Sequence, residues 1–168
     1  MKVKKILPAI VFLFVTNLAN GQTPTYQWAK NMGGHYGYSI GMSIAVDDSG
    51  NVYTTGNFEG RVDFDPGAGV SFLTALGTSY DAFVTKTDSS GNFIWAKQFS
   101  GISGSSGATS IAVNGSGNIC IAGNFAGTID FDPGIATLNL TSTAFPHSCR
   151  LLRELLFRIG MQGSGIFS

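Results

Sequence analysis

The stretches GNFEGRVDFDPG (Gly56–Gly67) and GNFAGTIDFDPG (Gly123–Gly134) are identical at nine of twelve positions and lie 67 residues apart. The same offset joins WAK at Trp28 to WAK at Trp95, and SIAVDDSGN to SIAVNGSGN. Because GNF, DFDPG, WAK and SIAV share one offset, no insertion or deletion separates the two copies. Self-similarity at a fixed period is the signature of a repeat architecture. The chain is therefore predicted to be a tandem array.

Apolar residues alternate along most of each unit. The segments with β-branched or aromatic residues at period two are SIAV, NVYTTGNF, RVDF, VSFLTAL, AFVTKTD and NFIWAKQF. This period is typical of strands. The turn clusters between them make VDDSGNV and TDSSGNF predicted hairpins with short loops, in which Asp accepts backbone N–H bonds and Gly50 takes a positive φ. No helical period precedes residue 149, so the predicted fold class is all-β.

Four strands in a repeat of about 40–50 residues are typical of β-propeller blades. The unit here is longer, and DFDPG with the strand after it is interpreted as an insertion into a four-stranded antiparallel unit. The chain then encodes about two incomplete blades, whereas propellers contain about 4–8. An isolated blade leaves its faces and edges uncovered. We therefore expect NVYTTGNF to be an exposed edge strand, and the chain either to fold poorly and aggregate or to close a ring by homo-oligomerisation.

The segment SIAVDDSGNVYTTGNF, followed by DAFVTKTDSSGNFIWAKQFSG, resembles the bacterial beta-propeller repeat family, often called SBBP. The GNF…VDFDPG variant is similar to repeats in long secreted proteins of that kind. The resemblance extends from Trp28 to about Ala144. It implies propeller blades with a structural or interaction role. It supplies no site residues, because the family is recognised by its blades and has no common catalytic set.

Residues 1–21 form a predicted secretory signal. They combine a lysine-rich start, an apolar run from Ile6 to Val15 and small residues before a cleavage point. The run is shorter than the roughly 20 apolar residues that span a bilayer, so no transmembrane anchor is expected. Residues 22–144 form the β-propeller repeat region, with units at about 28–94 and 95–144, the second incomplete. Export predicts an extracellular or cell-surface location, or the periplasm if the chain passes no further.

The tail at residues 145–168 departs from the repeat, with three arginines, no alternation and a helix-like LLRELLF. One interpretation is a genuine amphipathic tail. The other is a frameshift: read one nucleotide later, FPHSCRLLREL permits FLTRADSSGNF, which resembles FVTKTDSSGNF at Phe83–Phe93. No codon choice in that frame gives the next expected tryptophan. Resequencing past the stop codon separates the two, since restored repeats would make this a truncated reading of a longer protein.

The formal net charge of zero conceals an acidic body. Residues 22–144 contain four basic and nine acidic side chains, with no basic cluster. Nucleic-acid binding needs such a cluster, so this class of partner is excluded. Two cysteines are too few for a disulfide scaffold. Cys120 replaces Tyr53 of the first unit and is predicted to be buried, while a bridge to Cys149 stays open.

GYSIG at Gly37–Gly41 matches the G-x-S-x-G nucleophile elbow, which needs a strand before the serine and a helix after it. Here a strand pattern follows, and the second unit reads GSSGA. His35 has Ile102 as its counterpart in the second unit. The match is interpreted as loop composition, and the protein is predicted not to be an enzyme.

A calcium site is one interpretation of the paired aspartates of DFDPG. Both units contain the pair: Asp63, Asp65, Asp130 and Asp132. Residues two apart in an extended segment face one side, and their carboxylates suit Ca²⁺. The alternative, which the sequence favours, is an Asx turn before Pro-Gly. The DDSGN-type loops are interpreted as turns because their version NGSGN has no carboxylate. No other cofactor is predicted.

The aromatic residues that recur at the repeat period are Trp28, Trp95, Phe58, Phe125, Phe64 and Phe131. They are predicted to form the core between blades; the alternative is a sugar-binding rim. The predicted function is a non-enzymatic structural or interaction module of an exported β-propeller protein, with an unidentified protein partner. The alternative is a lectin-like propeller, assembled from two-blade chains, that binds glycans between blades. Oligomer size and a glycan array separate these functions.

Overall fold

The computed structural model describes residues 26–33, 36–76, 79–115 and 117–142. Every regular element in these ranges is a β-strand and every paired strand is antiparallel, which confirms the all-β class. No helix within them is long and apolar enough to cross a membrane. Residues 1–21 and 145–168 lie outside the described ranges. The strands are β1 (Tyr36–Val46), β2 (Val52–Asp63), β3 (Phe72–Thr74), β4 (Asp81–Thr87), β5 (Phe93–Phe99), β6 (Ser105–Val113), β7 (Ile119–Asp130) and β8 (Asn139–Ser142).

The first sheet contains β1 to β5 in the path β1-β2-β4-β5. Strand β3 lies off this path and pairs with the C-terminal end of β2, where Val62 is opposite Leu73. This confirms the interpretation of DFDPG and its following strand as an insertion into a four-stranded unit. The expectation that NVYTTGNF is an exposed edge is wrong, because β2 pairs with β1 on one side and β4 on the other. The edges of the path are β1 and β5.

The second sheet, β6-β7-β8, repeats the beginning of the first. Its first strand pair bulges at the same repeat position, the two bulges being at Gly41/Ser43 and Ala108/Ser110. The β1 bulge brings the carbonyl of Ile40 so close to Gly56 that a Cβ there would overlap the oxygen. Gly123 is crowded in the same way by the bulged β6. The glycine of GNF is therefore required in both units by the neighbouring strand.

Aspartate side chains close the hairpin turns of the first sheet. In the β1–β2 turn, Asp47 Oδ1 accepts the N–H groups of Ser49 and Asn51 at 3.0 and 2.9 Å. Asp88 accepts the corresponding bonds in the β4–β5 turn. Glycines with φ near 80°, Gly50 and Gly91, complete these turns. The two predicted short-looped hairpins are confirmed.

The face of the first sheet that packs on the second sheet is called its forward face, and the opposite face is called its rear face. The second sheet is named in the same way by repeat position, so its rear face is the one that packs on the first sheet. The forward face of the first sheet carries Tyr53 and Val84 and packs on the rear face of the second, which carries Ile129. The buried cluster between the sheets comprises Tyr53, Ala82, Val84, Phe99, Ala108, Ile111, Ile119, Ile121, Ile129 and Phe131. A second cluster lies on the rear face of the first sheet: Phe58, Val62, Phe64 and Phe83.

The segment 26–33 covers part of that rear face, where Met32 packs against the second cluster. Met32 is the counterpart of Phe99 at the 67-residue offset. Ser39 Oγ donates to the Met32 carbonyl at 3.0 Å, just as Ser106 Oγ donates to the Phe99 carbonyl. Against the first sheet, segment 26–33 thus takes the place that β5 takes against the second. The predicted boundary between the units, at residues 94 and 95, lies inside strand β5. The first sheet therefore extends to Phe99, the last residue of β5.

Candidate functional site

The contact between the two sheets combines the apolar cluster with hydrogen bonds to the backbone of β6. Asn57 Oδ1 accepts the N–H of Ala108 at 2.9 Å. Ser43 Oγ accepts the N–H of Ile111 at 3.3 Å. An unpaired buried backbone group costs about 1–3 kcal/mol, so these two bonds fix the position of β6 on the forward face of the first sheet.

Ser106 is the third polar anchor of this contact, and its side chain is buried. Its Oγ accepts the N–H of Ala82 at 2.9 Å and donates to the carbonyl of Phe99. One serine of β6 therefore bridges β4 and β5 of the first sheet. In the sequence, Ser106 is the counterpart of Ser39, the serine of GYSIG. Its recurrence at the repeat offset was the available signal for this role.

The rear face of the first sheet is open near β1. Ile44 is 64% exposed there, whereas its counterpart Ile111, inside the contact between the sheets, is 7% exposed. Val46 is 57% exposed, and its counterpart Val113 is partly buried. The same surface is thus covered in one unit and bare in the other, among the residues that the structure describes.

In the described part of the chain, the forward face is the open side of the second sheet. Asn124 is exposed on this face, whereas its counterpart Asn57 is partly buried beside β6. Cys120 is a free and partly exposed thiol, so the prediction that it is buried is wrong. Its counterpart Tyr53 is buried because the second sheet covers it, and no described residue does the same for Cys120. Cys149 lies outside the described residues.

Residues 27–57 match the family model described as Beta-propeller repeat, SBBP. The chain carries a beta-propeller repeat. The match runs from the segment before β1 to the GNF motif of β2, which confirms the resemblance over this stretch. No curated protein matches the chain. The first sheet is thus a propeller blade with an inserted β3, and the second sheet is the beginning of the next blade.

A polar cleft of about 260 Å³ lies between the blades, where the β1–β2 turn faces the β6–β7 turn. Tyr53 borders it, with its ring centre 6.3 Å from that of Trp95 and 4.9 Å from Lys86 Nζ. Its hydroxyl donates to Asp47 at 3.0 Å. The cleft therefore places an indole beside carboxylate, ammonium and amide groups. The other side chains and glycines that form its wall include Asp48, Asn51, Gly115 and Gly117.

Asp47 is the structural carboxylate of the cleft. Partial burial acts to raise its pKa, but hydrogen bonds from Asn51, Tyr53 and Ser49 outweigh this and lower the pKa. Lys86 Nζ lies 3.8 Å from the same carboxylate. In the second blade, Asn114 holds the repeat position of Asp47. Its Oδ1 accepts the N–H of Asn118 at 2.9 Å, so an amide keeps the turn bond that Asp47 makes to the Asn51 N–H.

Asp48 is the carboxylate that faces the neighbouring blade. A Cβ on Gly115 would lie 2.9 Å from its Oδ2. Gly115 holds the repeat position of Asp48 itself. The glycine gives the carboxylate room, and it avoids the repulsion of two aspartates at this contact.

The DFDPG aspartates close the hairpin between β2 and β3. Asp63 Oδ1 accepts the N–H groups of Asp65 and Ser71 at 3.0 and 2.9 Å. Asp65 Oδ1 accepts the N–H of Gly67 at 2.7 Å. These bonds support the Asx-turn alternative. No group of three or more metal-ligating side chains occurs in the described ranges, and the calcium site stays a prediction. The second blade repeats the turn bonds through Asp130 and Asp132.

Replacing Asp63 by alanine is expected to lower the free energy of unfolding by about 1–2 kcal/mol, because two backbone N–H groups lose their acceptor. Asp65→Ala, which removes one such bond, serves as the matched control with a smaller loss. Thermal melts with millimolar Ca²⁺ and with chelator are expected to coincide for the native chain. A Ca²⁺-induced rise in Tm that disappears in Asp63→Ala would instead establish the metal site.

Asp81, at the start of β4, is a buried carboxylate that no sequence pattern indicated. It is fully buried, and its Oδ2 accepts the N–H of Leu76 at 2.9 Å. Its Oδ1 has no hydrogen-bond partner among the described residues. Burial raises the pKa of Asp81 to about 6, against a smaller lowering by the Leu76 bond. This group therefore titrates in a mildly acidic range.

The recurring aromatic residues divide into two groups. Phe131 is buried in the cluster between the sheets, which confirms the prediction of a core between blades for this residue. Phe58 and Phe64 are also buried, but in the second cluster on the rear face of the first sheet. Trp95 is partly buried and borders the cleft. Trp28 is also partly buried, and its Nε1 donates to a carbonyl in the β4–β5 turn at 3.0 Å. The remaining member of the recurring set, Phe125, is partly buried against the core between the blades.

Proposed function

We propose that the protein is a non-enzymatic structural and interaction module of an exported β-propeller, and that its open blade faces bind further blades. One observation carries this proposal: Ile44 and Ile111 hold the same repeat position but are 64% and 7% exposed. The contact inside the chain is a direct example of what such a face binds when it has a neighbour. The signal-like residues 1–21 support export.

Burial energetics favour association through the rear face of the first blade. Full burial of one Val or Ile side chain contributes about 1.5–3 kcal/mol. Ile44 and Val46 together therefore offer several kcal/mol before the cost of association is subtracted. Repeat units also gain much of their stability from the interfaces with their neighbours. A blade-like partner fits this surface better than a flexible peptide, since the rigid contact inside the chain already has the matching shape.

Three features support a non-enzymatic role. The GYSIG sequence lies within β1, and a helix does not follow it in the described chain. Ser39 Oγ donates to the carbonyl of Met32, a bond that the second blade repeats. The aspartates of the turns accept backbone hydrogen bonds, as shown above for Asp47 and Asp63. These polar groups act in the fold. His35 lies outside the described residues.

Adding one blade to the chain tests the proposal. Residues 36–102 are duplicated in frame after residue 102. The first copy is called the outer copy, and the second, which lies between it and residue 103, is called the inner copy. The inner copy carries Asp48→Gly to reproduce the Asp48–Gly115 contact. Ile44→Cys is then introduced in either the outer or the inner copy, with Cys120→Ser and Cys149→Ser as background. The inner cysteine is expected to react with a maleimide at least about tenfold more slowly than the outer one, because a blade now covers it.

The two copies of Ile44 control for each other, since they share local sequence and strand. Equal labelling rates in a folded three-unit chain would contradict the proposal. Ile111→Cys in the native-length chain gives the rate for a fully covered position. Export is tested separately, by locating the tagged chain in cell fractions with and without residues 2–21.

The polar cleft favours glycan binding as a second candidate function. Aromatic rings stack on the apolar faces of sugars, and planar polar side chains bind their hydroxyl groups; Trp95 and Asp48 meet these needs at the cleft. Binding on a glycan array is expected to be lost in Asp48→Ala and in Gly115→Asp, which narrows the cleft. Glu59→Gln, on an exposed position outside the cleft, is the control. Absence of any binding on the array would reject this candidate.

A further inference from the structure

The two open surfaces of the blade pair are the two halves of a contact that the chain already makes once. The forward face of the first blade packs on the rear face of the second. Among the residues that the structure describes, the rear face of the first blade near β1 and the forward face of the second blade stay open. We infer that a second copy of this chain binds head to tail, its second blade covering the rear face of the first blade. This inference rests on the proposed function, and it names the partner.

The 67-residue offset specifies the hydrogen bonds of this assembly. The bond from the Ala108 N–H to Asn57 Oδ1 becomes a bond from the Gly41 N–H to Asn124 Oδ1 of the second copy. Asn124 is exposed on the open forward face, as this requires. In the same way, the bond from the Ile111 N–H to Ser43 becomes a bond from the Ile44 N–H to Ser110 of the second copy.

The exposure pattern agrees with this assignment on both surfaces. Ser110 and Ala112 of β6 are exposed, whereas their counterparts Ser43 and Ala45 are partly buried in the contact inside the chain. On the opposite surface, Thr54 is partly buried while its counterpart Ile121 is buried. At each of these positions, the unit that has a blade against it is the less exposed one.

Charge at the turns favours the second blade of another copy over a first blade. In the contact inside the chain, the Asp48 carboxylate faces Gly115. In the head-to-tail contact, Gly115 of one copy faces Asp48 of the other, so a single carboxylate is again present. A contact between two first blades would place two Asp48 side chains together at the same turn, and like charges repel.

A head-to-tail contact uses different surfaces on the two copies, and it produces a ring when the rotation between successive copies closes. The blades of a propeller are related by such a closing rotation. Propellers close with about 4–8 blades, which corresponds to about two to four copies of a two-blade chain. We therefore expect a closed oligomer of defined size. Its contacts between chains would resemble the contact between β6 and the first blade.

The test is the number of chains per particle, measured for the purified full chain by light scattering after size exclusion at about 100 µM and below. The native chain is expected to give one oligomer of about two to four copies. Ile44→Asp and Asn124→Ala are each expected to weaken association about tenfold or more, with unchanged circular dichroism. Ile135→Asp, on a fully exposed hairpin position, is expected to leave the oligomer intact.

Asn57→Ala is the matched control for Asn124→Ala, because it removes the same bond within one chain. It is expected to lower Tm at every protein concentration. A monomeric native chain, or an oligomer that persists unchanged in both Ile44→Asp and Asn124→Ala, would overturn the inference. If the chain is monomeric while the inner cysteine of the three-unit chain is protected, the proposed function stands and only the second copy as partner is rejected. If the labelling rates are equal and the native chain still forms an Ile44-dependent oligomer, the rear face binds another copy by a contact other than blade to blade, and the proposed function is rejected together with the head-to-tail arrangement.

Discussion

Replacing Phe131 by alanine is expected to lower the free energy of unfolding by about 3–5 kcal/mol, the usual cost of deleting a buried aromatic ring. Phe131 is buried between the blades, with ring centres 6.0 Å from Phe99 and 4.9 Å from Phe125. Its removal leaves a cavity in the contact that joins the second sheet to the first. Urea unfolding followed by circular dichroism measures the loss. Leu138→Ala, at a largely exposed position in the same hairpin, is the control and should change stability by less than about 1 kcal/mol.

The counterpart substitution shows how the blades depend on each other. Phe64 is buried within the first blade, with its ring centre 4.7 Å from that of Phe83. If the two blades unfold together, Phe64→Ala and Phe131→Ala lower stability similarly and give one coincident transition. A loss of less than about 1 kcal/mol in Phe131→Ala would mean that the second sheet contributes little to the folded body.

The second large effect is a pH dependence of the unfolding free energy that the buried Asp81 carboxyl produces. Its pKa is raised from 3.8 to about 6 in the folded chain because the carboxylate is buried. Its stabilising contribution is therefore fully present below the unfolded pKa and is lost as pH rises through the folded pKa. Between pH 4 and 7 this amounts to a loss of about 2–3 kcal/mol. Asp81→Asn keeps an acceptor for the Leu76 N–H and carries no charge, so it removes this dependence.

The measurement is the difference in unfolding free energy between Asp81→Asn and the native chain, from urea titrations between pH 4 and 7.5. The unfolding free energy of Asp81→Asn is expected to increase relative to that of the native chain as pH rises. The difference is needed because Asp47 and Asp88 act in the opposite direction: hydrogen bonds lower their pKa values, so their stabilisation is lost on acidification. A difference that stays flat across this range would show that Asp81 is not buried as a charged group at neutral pH.

Local sequence was sufficient to predict the hairpins, because Asp47, Gly50 and Gly91 act within their own turns. It was also sufficient to predict that DFDPG and the strand after it are an insertion. The repeat unit is longer than four strands require, so the additional residues could not belong to the four-stranded path. The face of the sheet on which each β1 side chain lies could not be predicted. Tyr38 and Ile44 keep an even spacing, but the bulge between Gly41 and Ser43 turns them to opposite faces of the sheet. Period-two patterns hold only where the ladder is regular.

The candidate site was less predictable, because its residues meet only after the blades pack. Lys86, Trp95 and Gly115 come from β4, β5 and the turn after β6, and no spacing links them. The alternation of NVYTTGNF was correct for a strand, but it does not separate a central strand from an edge. Asp81 was missed for a similar reason: the segments that bury it are distant in sequence. The equivalence of Ser39 and Ser106 was visible in the repeat, but the carbonyl that each serine binds was not.

The 67-residue step has a consequence for how such genes change. Because one step maps each blade contact onto the next, crossing-over between the two copies of GNF…DFDPG adds or removes one whole unit in frame. The new junction reuses the same pair of sheet faces, and the glycine that the bulge requires comes with the unit. The added unit carries Gly115 at the turn that faces Asp48, because Asp48 lies before the first copy of the motif and is not duplicated. Recombination can therefore vary the number of blades one at a time while leaving the width of each sheet unchanged.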